Sequence, residues 1–104
     1  MKEVTVSELK KMMDDKVDFQ LLDIREVHEY EEANLGGDLI PMGEVVDNLS
    51  KISKDKTVVV HCRSGARSTA VVNLLESQFG YNNLYNLKGG IIAWKNEINP
   101  AMGN

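Results

Sequence analysis

Cys62 is the only cysteine of the chain, and the residues that follow it favour a reactive sulfur. Six neighbours can supply backbone N–H groups and positive charge: Arg63, Ser64, Gly65, Ala66, Arg67 and Ser68. A loop of these residues can curl its N–H groups around one point, and Gly65 relieves the steric limits on such a turn. The two arginines and the positive end of a following helix would stabilise a thiolate over a thiol. We therefore expect a lowered pKa for Cys62 and a nucleophile that needs no general base.

A lone cysteine is more often a buried structural residue than a nucleophile, and this is the alternative interpretation of Cys62. The position between an apolar segment and a helix, with two arginines and a glycine nearby, favours the catalytic interpretation. The same cradle predicts a small anionic ligand, either a sulfur donor such as thiosulfate or the negative charge of a persulfide on Cys62 itself.

Short apolar segments alternate with amphipathic ones, which predicts an α/β fold with a parallel sheet. The predicted strands cover residues 19–24, 39–40, 57–61 and 83–87, and the predicted helices cover 8–13, 25–32, 43–50, 68–79 and 91–97. Strand 57–61 is apolar on both faces, which predicts a central position in the sheet. Ligands of such sheets bind beyond the carboxyl ends of the strands, so we expect the site in the loop after residue 61.

Helix caps and core-facing side chains follow from the same pattern. Ser7 is predicted to be the N-cap of the first helix, and Gly80 the C-cap of the helix over residues 68–79. Two helices are predicted to face the core through Val45, Val46 and Leu49, and through Ala70, Val71, Leu74 and Leu75. Trp94 is expected in the core because it lies at helical spacing from Ile91 and Ile98.

Length, charge and the paucity of metal ligands narrow the functional classes. The 104 residues fit one domain, and a net charge of −4 argues against nucleic acid as a partner. The first residues contain no apolar signal core and no apolar run is long enough for a membrane span, so we expect a cytoplasmic protein that binds no membrane. One cysteine excludes an intrachain disulfide, and two separated histidines make no zinc site, so no metal or cofactor is expected.

The segment from Cys62 to Ser68 resembles the active-site loop of rhodanese-family sulfurtransferases. Three further stretches resemble the family in order and spacing: an aspartate–arginine strand end at residues 22–26 with 29–30, an isoleucine–proline step at 40–42, and a glycine–glycine–tryptophan segment at 86–91 with 93–94. The resemblance spans about residues 4–95. It implies a single rhodanese-like domain over residues 1–104, with a central parallel five-stranded sheet flanked by helices on both faces.

The resemblance also implies a reaction. Cys62 would take a sulfane sulfur from an anionic donor such as thiosulfate, hold it as a persulfide and pass it to a thiophilic acceptor. The acceptor would be cyanide or a thiol, including a thiol of a partner protein. The backbone of residues 63–68 would cradle the outer sulfur, Arg63 would help to select the donor, and Arg67 would brace the loop. The physiological donor and acceptor stay open.

Asp23, Arg25 and Glu29 are expected to support the site rather than to react. Arg25 is predicted to pair with Glu29, four residues on, and ion-pair networks of this kind perturb charges without doing chemistry. His61 is expected to point away from the pocket because side chains alternate along a strand. Residues 34–38 are one residue shorter than the corresponding step in many members of the resembled family and lack its histidine, which leaves the pocket rim in question.

Two other functions are compatible with parts of the pattern. Cysteine-dependent phosphatases and arsenate reductases also place His-Cys before an anion-binding loop that ends in arginine, but that loop is longer. Here four residues separate Cys62 from Arg67, and a shorter loop suits one sulfur atom better than a tetrahedral phosphate. The other function is a sulfur carrier or binding module that serves a dedicated partner protein, which an intact loop does not exclude.

Overall fold

Five parallel strands form one sheet in the computed structural model, which describes residues 1–102. The strands are β1 (Glu3–Val4), β2 (Phe19–Asp23), β3 (Asp38–Leu39), β4 (Thr57–His61) and β5 (Leu84–Leu87). Their order across the sheet is β1-β5-β4-β2-β3, and every adjacent pair is parallel. The predicted central position of strand 57–61 is confirmed. β1 went unpredicted because a strand of two residues is too short to show a pattern.

Residues 1–102 also form four α-helices: α1 (Val6–Asp14), α2 (Val27–Glu32), α3 (Ala66–Phe79) and α4 (Gly90–Glu97). Two short 3-10 segments lie at Met42–Glu44 and Val46–Lys51. None of the helices among residues 1–102 is long and apolar enough to span a bilayer.

The side chains of β4 alternate between two hydrophobic clusters, one on each face of the sheet. The first cluster joins β4 to α3 and contains, among others, Val58, Val60, Cys62, Val71 and Leu75. The second joins β4 to α1 and α4 and contains, among others, Leu9, Val59 and Trp94. The predicted α/β fold, with a five-stranded parallel sheet and helices on both faces, is therefore confirmed, as is the place of Trp94 in the core.

Thr5, not Ser7, is the N-cap of α1, so the predicted cap is wrong. The Glu8 N–H donates to the Thr5 hydroxyl at 3.1 Å, and the Thr5 N–H donates to the Glu8 carboxylate at 2.8 Å. This reciprocal capping box satisfies two N–H groups at once. Ser7 has Lys10 at the corresponding position and cannot form the box, so the Thr5–Glu8 spacing is the signal that locates the helix start.

Residues 43–50 do not form the predicted helix, and the two 3-10 segments replace it. The Asn48 side chain donates to the Glu44 carbonyl at 2.7 Å, and Asn48 has non-helical backbone angles (φ −128°, ψ 29°). Such side-chain bonds to the backbone compete with a regular helix. As a result Val45 is buried and Leu49 half-buried as predicted, whereas Val46 is 49% exposed.

α3 begins at Ala66, two residues before the predicted start, and ends at the predicted C-cap, Gly80, which has φ 71°. Its buried side chains are Ser68, Val71, Val72 and Leu75, the spacing of one helical stripe. Ala70 and Leu74 were predicted to face the core and are exposed. The error arises because the stripe begins at Ser68, beneath the cysteine loop, and this rotates the apolar face away from both residues.

Candidate active site

Cys62 follows β4 directly, and only 1% of the residue is exposed, on the α3 face of the sheet. Its Sγ atom accepts a hydrogen bond from the Gly65 N–H at 3.1 Å and from the Ser68 N–H at 3.4 Å. The Ser68 hydroxyl oxygen lies 3.4 Å from Sγ. The predicted loop residues thus surround the sulfur with hydrogen-bond donors.

The cradle forms because Gly65 adopts a left-handed conformation, with φ 109°, immediately before α3. A residue with a Cβ atom adopts this conformation only at a steric cost. The turn brings the first N–H groups of α3 to the sulfur, where the positive end of the helix dipole favours negative charge.

The N-terminus of α4 holds the other side of the loop. The Ile91 N–H donates to the Cys62 carbonyl at 3.0 Å, and the Ile92 N–H donates to the Arg63 carbonyl at 3.1 Å. Gly90 permits this approach, because a Cβ atom there would lie 2.7 Å from the Cys62 carbonyl oxygen and closer still to the Arg63 carbonyl group. The sequence indicated Gly90 only as part of the glycine–glycine–tryptophan segment of the resembled family.

The pKa of Cys62 lies below that of an ordinary thiol. Burial raises this pKa, but the hydrogen bonds of the Ser68 hydroxyl and of the Ser68, Gly65 and Ser64 N–H groups lower it by more. The predicted direction is confirmed. The loop N–H groups contribute as predicted, and the Ser68 hydroxyl adds a hydrogen bond to the sulfur that the sequence did not indicate.

Arg67 points from the first turn of α3 toward α2, where its two terminal nitrogens bind the Glu29 carboxylate at 2.7 and 2.9 Å. The Arg67 hydrogen bond lowers the pKa of Glu29 to about 2, and the carboxylate in turn raises the pKa of Arg67. This bidentate pair ties α2 to α3 beside the cysteine loop.

The predicted ion pair between the side chains of Arg25 and Glu29 is wrong. Arg25 instead binds the buried Asp23 carboxylate, with Nε 3.0 Å from Oδ1 and Nη2 2.8 Å from Oδ2. It also donates to the Ala33 carbonyl at 2.9 Å, and it meets Glu29 through the backbone carbonyl at 3.5 Å. The four-residue rule fails because Arg25 precedes α2 rather than lying on it.

His61, the last residue of β4, is fully buried between Asp23 and the backbone of Cys62. Its Nε2 lies 3.6 Å from Asp23 Oδ2, and its Nδ1 lies 3.4 Å from the Cys62 carbonyl oxygen. Burial lowers the pKa of His61, an effect that Asp23 opposes and Arg25 reinforces. Because side chains alternate along a strand, the imidazole projects to the sheet face opposite the Cys62 sulfur.

A cavity of about 370 Å³ opens beside the cysteine loop, between α2 and α4. Ile91 and Ile92 give it apolar surface, and its charged lining consists of Arg25, Glu29, Glu32, Arg63 and Lys95. Among residues 1–102, no group of three or more His, Cys, Asp or Glu side chains could hold a metal ion. The cavity adjoins the loop that holds the sulfur and is the candidate entrance for a substrate.

A larger cavity, of about 530 Å³, lies beside β2 and β3 and is lined by no residue of the cysteine loop. The shortened segment over residues 34–38 contributes Gly36, Gly37 and Asp38 to this larger cavity and nothing to the smaller one. That segment therefore contributes no residue to the rim of the cavity beside Cys62.

Asn86 of β5 is the site residue that sequence reasoning missed. It is 3% exposed, its side-chain oxygen accepts from the Ser68 hydroxyl at 2.5 Å, and its side-chain nitrogen donates to the Thr69 hydroxyl at 3.2 Å. The signal that could have found it is a polar residue inside a predicted strand of a covered sheet, because a buried amide must be hydrogen-bonded.

Comparisons with known proteins agree with this geometry. A family model described as "Rhodanese-like domain" matches residues 5–97. A protein of Allochromatium vinosum named "Sulfurtransferase" is 40% identical over 93 residues, which cover 88% of this chain and 86% of that protein. "Rhodanese-like/PpiC domain-containing protein 12, chloroplastic" of Arabidopsis thaliana is 37% identical over 109 residues, which cover 97% of this chain but 36% of that longer protein.

A solved structure supports the same fold. The crystal structure of a rhodanese-like domain protein from Staphylococcus aureus superposes with a TM-score of 0.82 at 33% identity. The superposition covers 90% of this chain and 91% of that chain.

Proposed function

The chain belongs to the rhodanese-like domain family, and from this premise we propose that it is a sulfurtransferase working through a persulfide on Cys62. The proposed reaction moves a sulfane sulfur from an anionic donor such as thiosulfate to cyanide or a thiol, including a thiol of a partner protein. The name of the Allochromatium vinosum relative supports the class of reaction.

The observation that carries the proposal is the set of hydrogen-bond donors around Cys62 Sγ. The N–H groups of Gly65 and Ser68 lie 3.1 and 3.4 Å from the sulfur, and the Ser68 hydroxyl is within reach. A sulfur so surrounded is held as a thiolate without a general base. The same donors favour a persulfide, because its negative charge stays close to them on the outer sulfur.

The proposed reaction has two half-reactions. In the first, the Cys62 thiolate attacks the outer sulfur of thiosulfate, a new S–S bond forms, the donor's S–S bond breaks, and its electron pair leaves with sulfite. In the second, the acceptor attacks the outer sulfur, and the electron pair of the breaking bond returns to Sγ. Cyanide leaves as thiocyanate, whereas a thiol loses its proton to solvent and leaves as a persulfide. Neither half-reaction needs an outside oxidant or reductant.

The cavity beside the loop supports an anionic donor. Arg63 and Lys95 both line it, and neither takes part in an ion pair among residues 1–102. Both cations are therefore free to attract a sulfonate group toward the loop. Arg67 does not share this role, because Glu29 occupies both of its terminal nitrogens.

The same contacts argue against phosphate ester chemistry. A phosphatase would need its loop arginine to bind phosphate oxygens and an acid to protonate the leaving group. Arg67 is already bound by Glu29, and Asp23 is buried against Arg25. The four-residue spacing between Cys62 and Arg67 gives a cradle that fits a single sulfur atom.

The proposal is tested by mass spectrometry of the intact protein after thiosulfate treatment. The wild type should gain the mass of one sulfur, and Cys62→Ser should gain none while unfolding at a similar temperature. Cys62 is the only cysteine, so a gain that dithiothreitol reverses reports on this residue alone. An unmodified wild type would exclude thiosulfate as the donor.

A test of the second half-reaction distinguishes a sulfurtransferase from a sulfur carrier. Cyanide added with thiosulfate should yield thiocyanate over many turnovers of the wild type. A loaded protein that releases its sulfur to no small acceptor would instead support the sulfur-carrier function.

A further inference from the structure

Ser68 has one hydroxyl hydrogen, yet three acceptors surround its oxygen. The oxygen lies 2.5 Å from Asn86 Oδ1, 3.2 Å from the Gly65 carbonyl oxygen and 3.4 Å from Cys62 Sγ. Ser68 is fully buried, so solvent does not replace a missing partner. The hydrogen therefore serves one of these acceptors at a time.

When Cys62 is a thiol, the side chains around Ser68 can form one continuous chain of hydrogen bonds. The Sγ–H donates to the Ser68 oxygen, the Ser68 O–H donates to Asn86 Oδ1, and Asn86 Nδ2 donates to the Thr69 hydroxyl at 3.2 Å. Each of these three donors has an acceptor in this arrangement. It leaves no Ser68 hydrogen for the sulfur.

When Cys62 is a thiolate, the sulfur can only accept hydrogen bonds, and its charge favours donation of the Ser68 hydrogen to it. If the Asn86 amide turns over, Nδ2 takes the place of Oδ1 and donates to the Ser68 oxygen. Oδ1 then faces Thr69, whose hydroxyl donates to it. The two ends of an amide are nearly equal in size, so the turn redirects hydrogen bonds without changing the packing.

We propose that Asn86 is a positioning residue for the chemistry of Cys62: its amide turns over when the thiol ionises, and Thr69 is an acceptor in one state and a donor in the other. In this step the Sγ–H bond breaks, its proton passes to solvent, and the Ser68 hydrogen rotates from Asn86 to the sulfur. The inference rests on the proposed function in taking Cys62 as the reacting sulfur.

The charged groups around the sulfur are common to both states. Arg67 of α3 is paired with Glu29 of α2, and Arg63 lies in the loop. Asp23, the last residue of β2, pairs with Arg25, and His61 ends β4. β5 and the first turn of α4 contribute no charged side chain. A neutral substitution of Thr69 therefore tests the amide network without altering this field.

The test is the rate of alkylation of Cys62 by iodoacetamide as a function of pH. Thr69→Val keeps the shape of the side chain and removes the hydroxyl, and Thr69→Ser keeps the hydroxyl. Thr69→Val should shift the half-point, because it removes an acceptor from the thiol state and a donor from the thiolate state, while Thr69→Ser should titrate with the wild type. A Thr69→Val variant that titrates with the wild type would overturn the proposal, because a fixed amide places no demand on the Thr69 hydrogen.

A second variant keeps the proposal testable if Thr69→Val does not fold. Asn86→Asp can only accept, so it holds the Ser68 hydrogen away from the sulfur. Asn86→Asp should raise the half-point more in the wild-type background than in the Ser68→Ala background, where only the added charge acts. Asn82→Asp, at an exposed position, is the control for the added charge. An equal rise in both backgrounds would refute a role through Ser68. Because alkylation needs no sulfur transfer, failed thiosulfate loading would count against the proposed function and leave this readout intact.

Discussion

Glu29→Gln tests whether the ion pair between α2 and α3 stabilises the fold beside the cysteine loop. In the wild type, Arg67 contacts both carboxylate oxygens of Glu29, at 2.7 and 2.9 Å. Glutamine keeps the size of the side chain but offers one acceptor oxygen and no charge. The substitution should therefore remove the charge from the pair while the packing stays close to that of the wild type.

The size of the effect follows from the pKa of Glu29, which falls from 4.5 to about 2. At about 1.4 kcal/mol per pKa unit, full linkage of this shift would contribute about 3 kcal/mol to the free energy of unfolding. The Arg67 side chain is 33% exposed, so solvent screens the pair strongly. We therefore expect Glu29→Gln to lose only about 1 kcal/mol at neutral pH.

The pH dependence has a definite sign. The pKa of Glu29 is lower in the folded state, so the stabilisation is complete above about pH 4.5 and disappears as the pH falls toward 2. Urea unfolding of the wild type and Glu29→Gln at several pH values measures this difference. Glu32→Gln is the matched control, because Glu32 lies on the same helix, lines the same cavity and takes part in no ion pair among residues 1–102. A stability gap that stays constant down to pH 2.5, or an equal loss in Glu32→Gln, would refute the reasoning.

Two further predictions concern the loop and its entrance. Gly90→Ala should destabilise the protein by about 2–3 kcal/mol in urea unfolding, because its Cβ would overlap the carbonyls of the cysteine loop at a positive φ. Gly43→Ala, with open space around it, should change stability by less than about 0.5 kcal/mol, and equal losses would contradict the argument. Arg63→Ala should raise KM for thiosulfate about threefold to tenfold with little change in kcat. The difference in KM between the variant and the wild type should decrease at high salt, which screens the charge of Arg63. A fall in kcat at unchanged KM would assign Arg63 to a role other than attraction of the donor.

The strand that precedes Cys62 could be predicted because its signals are local. A continuous apolar run ends at His61, and the next segment has the period of a helix that closes at Gly80. A central parallel strand followed by a loop and a helix can be recognised from neighbouring residues alone, without knowledge of distant contacts. The position of the sulfur at the carboxyl edge of the sheet follows directly from that order.

The contacts that complete the site could not be predicted in this way. Glu29 and Arg67 are 38 residues apart, and Ser68 and Asn86 are 18 apart, so each pair depends on how whole elements pack. Sequence spacing predicted a partner for Arg25 four residues later, whereas in the fold it binds Asp23, the last residue of β2 and two positions earlier. Short-range rules fail where a side chain leaves its own helix to bind another element.

The hydrogen bonds from Ile91 and Ile92 to the cysteine loop link the shape of the cradle to the folding of the last elements of the chain. Until β5 has added to the sheet and α4 has docked, the carbonyls of Cys62 and Arg63 lack these partners, and Asn86 is not beneath Ser68. An incompletely folded chain therefore lacks two hydrogen bonds that fix the backbone of the cysteine loop. The cradle is built from residues next to Cys62 in sequence, yet its backbone hydrogen bonds are complete only when the last helix is in place.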